Sequence, residues 1–128
     1  MNHKIIHTDQ APQALGPYVQ ARQVGSHIYL SGQLGIDMMT GELPSAAVDQ
    51  MMHALLNMEA ILKAAGAQKE DVVKTTVFLT DIDHFSGINE VYAAFFGEHK
   101  PARSCVEVSA LPKGALVECE CIAIVEDS

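Results

Sequence analysis

The stretch "ALVECECIAIVE", residues 115–126, limits the fold more than any other segment. It has strand composition, and successive side chains of a strand point to opposite faces. Val117, Cys119, Cys121, Ala123 and Val125 then share one side, and Glu118, Glu120, Ile122 and Ile124 share the other. Apolar residues on both sides predict cover on both sides. Two segments read as amphipathic helices that could supply it. In the first, Val48, Met51, Met52, Leu55, Met58 and Leu62 recur at helical spacing, with Ser45 placed to cap the start and Gly66 the end. The second carries Phe85, Ile88, Tyr92, Phe95 and Phe96, with Asp83 as its cap and Gly97 at its end. Two helices suit one face of a sheet. The other face is therefore expected to meet another subunit, unless the sheet curls to cover itself.

The remaining segments fit the same plan. "YVQARQVGSHIYLSGQ" reads as two strands joined at Gly25-Ser26, and "DMMTGELP" as a loop turning at Gly41. In "DVVKTTVFLTD", Val73, Thr75, Val77 and Leu79 share one face and Lys74, Thr76, Phe78 and Thr80 the other. "ARSCVEVSA", a turn at "LPKG" and the last strand suggest a second antiparallel pair. The order is strands, helix, strand, helix, strands. It predicts an α+β, two-layer domain spanning residues 1–128, a mixed sheet with two helices on one face.

Composition narrows the class of function. Apolar residues make up 48% and charged residues 19%, a globular balance. The formal net charge of −8 opposes phosphate backbones, so nucleic acid is not an expected partner. No apolar run approaches the roughly 20 residues that span a bilayer, and "MNHKIIHTDQAP" has no leader pattern. Three cysteines, Cys105, Cys119 and Cys121, without framework spacing suggest reduced thiols in a cytoplasmic protein.

The residues that carry chemistry are few. Arg103 stands at the mouth of a strand, in "PARSCVEV". A guanidinium there pairs with Glu107, Glu118 or Glu120, or it holds the carboxylate of a ligand by two parallel hydrogen bonds. Glu118 and Glu120 project together, so each can raise the other's pKa. Tyr18, after Gly16-Pro17, is a core phenol or a ligand contact. Ser31-Gly32 is a simple bend or a point where backbone approaches a ligand. Cys105 reads as a packed or site-lining thiol, with nucleophile as the alternative. Cys119 and Cys121 read as core. Neither they nor the scattered His3, His7, His27, His53, His84 and His99 form a metal-ligand pattern.

Taken together, "APQALGPYVQA", "IYLSGQLG", "TGELP", "VVKTTVFLTD", "INEVYAAFFGEH" and "KPARSCVEVSALPKGALVECECIAIVE" resemble, in order, the motifs of the RidA/YjgF family of enamine/imine deaminases. The likeness covers nearly the whole chain, and "PARSCVEV…LPKGALVE" is its most specific block. It implies a chorismate-mutase-like fold, a homotrimer and ligand sites in clefts between subunits. It implies hydrolysis of 2-aminoacrylate-type enamines and imines to 2-oxo acids and ammonia, without cofactor or metal. By position, Arg103 would bind the substrate carboxylate and Glu118 would orient the attacking water. Tyr18, Ser31 and Gly32 would line the cleft, with Asn89 and Cys105 at or near the ligand. Cys119 and Cys121 depart from the aliphatic residues commoner there, and "IVEDS" gives an acidic tail. Two other functions fit the same cleft: a sensor that binds a 2-oxo acid without turnover, and a ribonuclease, which the acidic charge disfavours.

Overall fold

A computed structural model describes residues 3–126, so Asp127 and Ser128 of the acidic tail lie outside the described residues. The strands are β1 (His3–Ile6), β2 (Ala21–Val24), β3 (His27–Leu34), β4 (Val72–Leu79), β5 (Ala102–Glu107) and β6 (Val117–Ile124), and the helices are α1 (Ala47–Ala64) and α2 (Phe85–Phe96). They form an α+β fold of the chorismate-mutase-like kind, one sheet in the order β1-β2-β3-β6-β4-β5. The doubly apolar strand β6 lies in its interior, between β3 and β4. Its inward side packs with the helices: Val117, Cys119, Cys121 and Ala123 are buried in one cluster with Met51, Leu55, Met58 and Leu62 of α1.

The expected pairing of the last two strands is not formed. β5 runs parallel to β4, on the edge that β6 leaves free, and β6 runs antiparallel to both its neighbours. A parallel pair needs a long crossover, and α2 supplies it between β4 and β5. Strand β1 falls in a segment where the sequence predicts no element. It is four residues long with only Ile6 buried, too little pattern to read.

Local details also shift. Ser45 does not cap α1, whose N-cap position is Ala46 with no side-chain bond. Asp83 does not cap α2. Asp81 instead accepts from the Asp83 N–H at the head of a short 3₁₀ turn, Ile82–His84, that leads into the helix. Gly66 and Gly97 do end their helices: the Gly66 N–H donates to Lys63 and the Gly97 N–H to Ala93. On β4 a break in register between Val72 and Lys74 turns Val72 inward and leaves Val73 exposed, while Thr75, Val77 and Leu79 keep the expected inner face.

Buried polar groups tie the layers together. The Asn57 amide of α1 donates to the carbonyls of Leu34 and Ile36 at 3.1 and 2.9 Å. Gln50, also on α1, donates to the Pro44 carbonyl and accepts from the Leu116 N–H. A Cβ at Gly35 would collide with the backbone of Gln50, so the chain after β3 runs directly against α1 because that residue has no side chain.

Candidate functional site

Arg103 opposes Thr75 in the β4–β5 register, and Thr75 is buried under α2, its hydroxyl 2.7 Å from that of Tyr92. Arg103 therefore projects on the helix side of the sheet. Its guanidinium carbon lies 4.7 Å from the centre of the Tyr92 ring and 5.6 Å from that of Phe85. Its Nη1 donates to Asn89 Oδ1 at 2.8 Å. Phe85, Asn89 and Tyr92 are spaced i, i+4, i+7, one face of α2. Together they hold the guanidinium by stacking and one neutral hydrogen bond. Among the described residues no carboxylate lies within ion-pair distance of Arg103. Glu107 is engaged elsewhere, accepting from the Ile82 N–H. Within one chain, then, Arg103 forms no ion pair with Glu107, Glu118 or Glu120 among the described residues. A recess of about 330 Å³ beside it is lined by Asn89, Tyr92, His99, Lys100 and Pro101.

Cys105 shares this side of β5, opposite Val77. Burial pushes its thiol pKa up, and the Arg103 charge pulls the other way with less effect. A raised pKa keeps the thiol protonated, which disfavours a nucleophile. Cys119 and Cys121 are buried thiols with pKa values raised chiefly by desolvation. Among the described residues no group of three or more His, Cys, Asp or Glu is arranged to hold a metal.

Glu118 lies on the opposite face. It pairs with Phe78 and Leu34, one residue out of phase with the buried Val117 and Cys119. Its carboxyl lies against Gly32: a Cβ built there would fall 2.8 Å from the carboxyl carbon. Burial raises its pKa, and Glu120, two residues on and on the same face, raises it further. Glu118, Gly32 and Tyr18 line one recess of about 550 Å³, with Pro112 and Lys113 from the turn before β6. Tyr18 also lines a neighbouring recess with Ser31. The Ser31 hydroxyl donates to the Val19 carbonyl at 2.6 Å and its N–H to the Gln20 carbonyl, so Ser31 shapes the wall with both its donors engaged.

Two groups result. Arg103, Asn89 and Cys105 gather at the β5 edge under α2. Glu118, Gly32, Tyr18 and Ser31 gather on the open face near the end of β3. The roles of Phe85 and Tyr92 under the guanidinium were not assigned from sequence, where both count only as apolar helix positions. Their spacing around Asn89 was the available signal.

The chain can be placed among known proteins. The family model described as Endoribonuclease L-PSP matches residues 8–125. A RutC family protein of Pyrococcus abyssi is 48% identical over 127 residues, 98% of this chain and all of that one. The 2-iminobutanoate/2-iminopropanoate deaminase of Escherichia coli is 48% identical over 124 residues, 94% of this chain and 97% of that one. Among solved structures, E. coli TdcF with bound serine superposes with a TM-score of 0.92 at 48% identity, covering 96% of this chain and 99% of that one. The chain therefore belongs to the Endoribonuclease L-PSP family, the family also called RidA/YjgF.

Proposed function

We propose that this protein hydrolyses 2-imino acids, the tautomers of reactive 2-enamines such as 2-aminoacrylate, to 2-oxo acids and ammonia. The observation that carries the reading is the open fork of Arg103, stacked on aromatic rings and held by Asn89. A guanidinium so oriented can give a ligand carboxylate two parallel bonds. Two relatives support the same chemistry: one is named for 2-imino acid deamination, and the TdcF structure contains serine, a carboxylate-bearing 2-amino acid.

Arg103 and Glu118 project from opposite faces of one sheet, so a single chain does not bring both to one small ligand. The reading therefore requires a second copy. The open face favours one, since Tyr29, Val106 and Ile124 are 46%, 42% and 38% exposed there. By family resemblance the assembly is a closed homotrimer. Each cleft would take Arg103, Asn89 and Cys105 from one chain and Glu118, Gly32, Tyr18 and Ser31 from the next.

The chemistry is then simple. Arg103 anchors the carboxylate. A water oxygen adds to C2 of the protonated imine while Glu118 accepts the water's proton, and the C=N π pair moves to nitrogen. That proton passes to the nitrogen of the carbinolamine. The C–N bond breaks, ammonia leaves, and loss of the hydroxyl proton completes the carbonyl of the 2-oxo acid. A raised pKa makes Glu118 a stronger proton acceptor than an ordinary carboxylate. The imine carbon is already electrophilic, so positioning and electrostatics suffice, and the reading needs no metal or cofactor. Activity is expected to survive prolonged chelation.

The test is release of ammonia and 2-oxo acid from enzymatically generated 2-aminoacrylate, with and without the protein. Acceleration over the spontaneous rate is expected. Binding of a 2-oxo acid with no acceleration would move the reading to a sensor that uses the same cleft.

A further inference from the structure

The helix layer carries apolar side chains that the core does not use. Met51, Leu55, Met58 and Leu62 of α1 enter the buried cluster. Val48, Met52 and Leu56 recur every fourth residue of the same helix and are 39%, 48% and 45% exposed. They form a stripe of about two turns, roughly 12 Å long. At its start α2 comes up against α1: a Cβ built on Gly87 would fall 2.9 Å from Cγ1 of Val48. Further along, the two helices enclose a groove of about 410 Å³, with Met52 and Leu56 on one wall and Glu90, Val91, Ala94 and Phe95 on the other. Val91 and Phe95 also pack against the core, which braces that wall. The groove shares no lining residue with either half of the candidate site.

Charge limits what can fill it. Glu90 is the one charged side chain in its walls. Asp49, one turn before Met52, and Glu59, one turn after Leu56, add carboxylates along α1. None of the three is in an ion pair among the described residues. The nearby cations stand past the far end: Lys63 follows Glu59, and the Lys69 ammonium lies 5.0 Å over the Phe95 ring. A second copy in a self-complementary contact would bring the same carboxylates, and the same net charge of −8, against their like. A helix with an apolar stripe flanked by Lys or Arg matches both the walls and the carboxylates. The unbranched Met52 side chain can adjust to the shape of such a helix.

We propose that the α1–α2 groove docks a cationic amphipathic helix of a partner protein. Its apolar residues at i, i+4 and i+7 seat along Met52, Leu56, Val91 and Phe95, and its flanking Lys or Arg residues face Glu90 and Glu59. The contact involves none of the candidate-site residues, so a partner can hold this protein without occupying its site.

The test uses the full chain and a fluorescently labelled synthetic peptide of about 15 residues, long enough to form a helix. It carries leucines at i, i+4 and i+7 with lysines beside them. One control has glutamate in place of lysine, and another has the same composition in scrambled order. Anisotropy titrations should give micromolar binding for the first peptide and at least about tenfold weaker binding for both controls. Met52→Gln and Leu56→Gln should each weaken binding about tenfold. Glu90→Lys should weaken the lysine peptide and strengthen the glutamate peptide. All three side chains are exposed, so melts of these variants should stay near wild type. Equal binding of the scrambled peptide overturns the proposal, because attraction to the acidic surface as a whole then suffices. Equal binding of the glutamate peptide overturns it too, because the groove then makes no choice of charge, and so does binding of no peptide. Light scattering on wild type and Leu56→Gln covers the last case: an assembly mass that falls in the variant would mean that a second copy fills the groove, and would also overturn the proposal.

Discussion

The two halves of the candidate site are built by different means. Around Arg103, side chains do the positioning: three residues of α2 at helical spacing place two aromatic rings and one amide against the guanidinium. Around Glu118, the backbone does it: Gly32 leaves the space, Gln20 and Asn57 hold the flanking segments, and Glu120 adds charge. The first half holds a fixed cation, proposed above to orient a ligand carboxylate, and the second holds a carboxylate whose proton affinity its surroundings have raised. Substitutions should therefore fail differently in the two halves.

The largest effect is expected at Arg103. Removing two charge-assisted hydrogen bonds at ~1.5–3 kcal/mol each lowers kcat/KM roughly 10²–10⁴-fold in Arg103→Ala. Arg103→Lys should also be poor, since a point charge does not reproduce the fork. The side chain is exposed and has no carboxylate partner among the described residues, so thermal melts of both variants should stay near wild type. A large fall in melting temperature with activity retained per folded molecule would make Arg103 a structural residue.

Glu118→Gln should lower kcat by roughly 10²-fold or more while leaving 2-oxo acid affinity nearly intact. It should also stabilise the fold at neutral pH. The folded pKa is raised above the ordinary 4.5, so the ionised carboxylate costs stability above the folded value. Below the unfolded value the carboxyl is protonated in both states, and the variant's advantage should vanish. Wild-type activity should fall as pH drops through the same raised pKa. Melts and kinetics across the acidic range check both trends, and a variant less stable than wild type at neutral pH would contradict the desolvated site.

Gly32→Ala tests the backbone half. The new methyl meets the Glu118 carboxyl, a flexible group that can move aside, so folding should survive while displacement of the carboxylate costs roughly 10–10²-fold in kcat. The smallest effect is expected from Tyr92→Phe. It keeps the ring beneath Arg103 and deletes the hydrogen bond to buried Thr75, so it should cost about 1–2 kcal/mol of stability with little loss of activity. A denaturant titration beside a kinetic assay separates the two.

The helices and the burial pattern of β6 were legible because hydrophobic period is a local signal. Val117, Cys119, Cys121 and Ala123 are buried where the alternation put them. Strand pairing is not local. "ARSCVEV" and the final strand are near in sequence, yet β4 lies between them, a choice made by the crossover of α2 and the demand of β6 for neighbours on both edges. The caps failed for a related reason: Ser45 and Asp83 have suitable chemistry, but the chain enters each helix one or two residues away from where they could act. At the site, Arg103 is legible as a charge at the mouth of a strand, whereas only the family resemblance singles out Glu118 from Glu120. The placement of Arg103 and Glu118 on opposite faces required the register between strands, and no motif states that.

On the proposed function, that placement requires a working cleft to take Arg103 from one chain and Glu118 from another. Complementation tests it most directly. Arg103→Ala and Glu118→Gln chains, each nearly inactive alone, are unfolded together, refolded and assayed. If the cleft is shared in a closed ring of identical interfaces, random mixing leaves about a quarter of the clefts with both native groups, and about a quarter of wild-type activity should return. If each cleft draws both residues from one chain, no cleft is intact, and mixed assemblies as inactive as their parents would contradict the account.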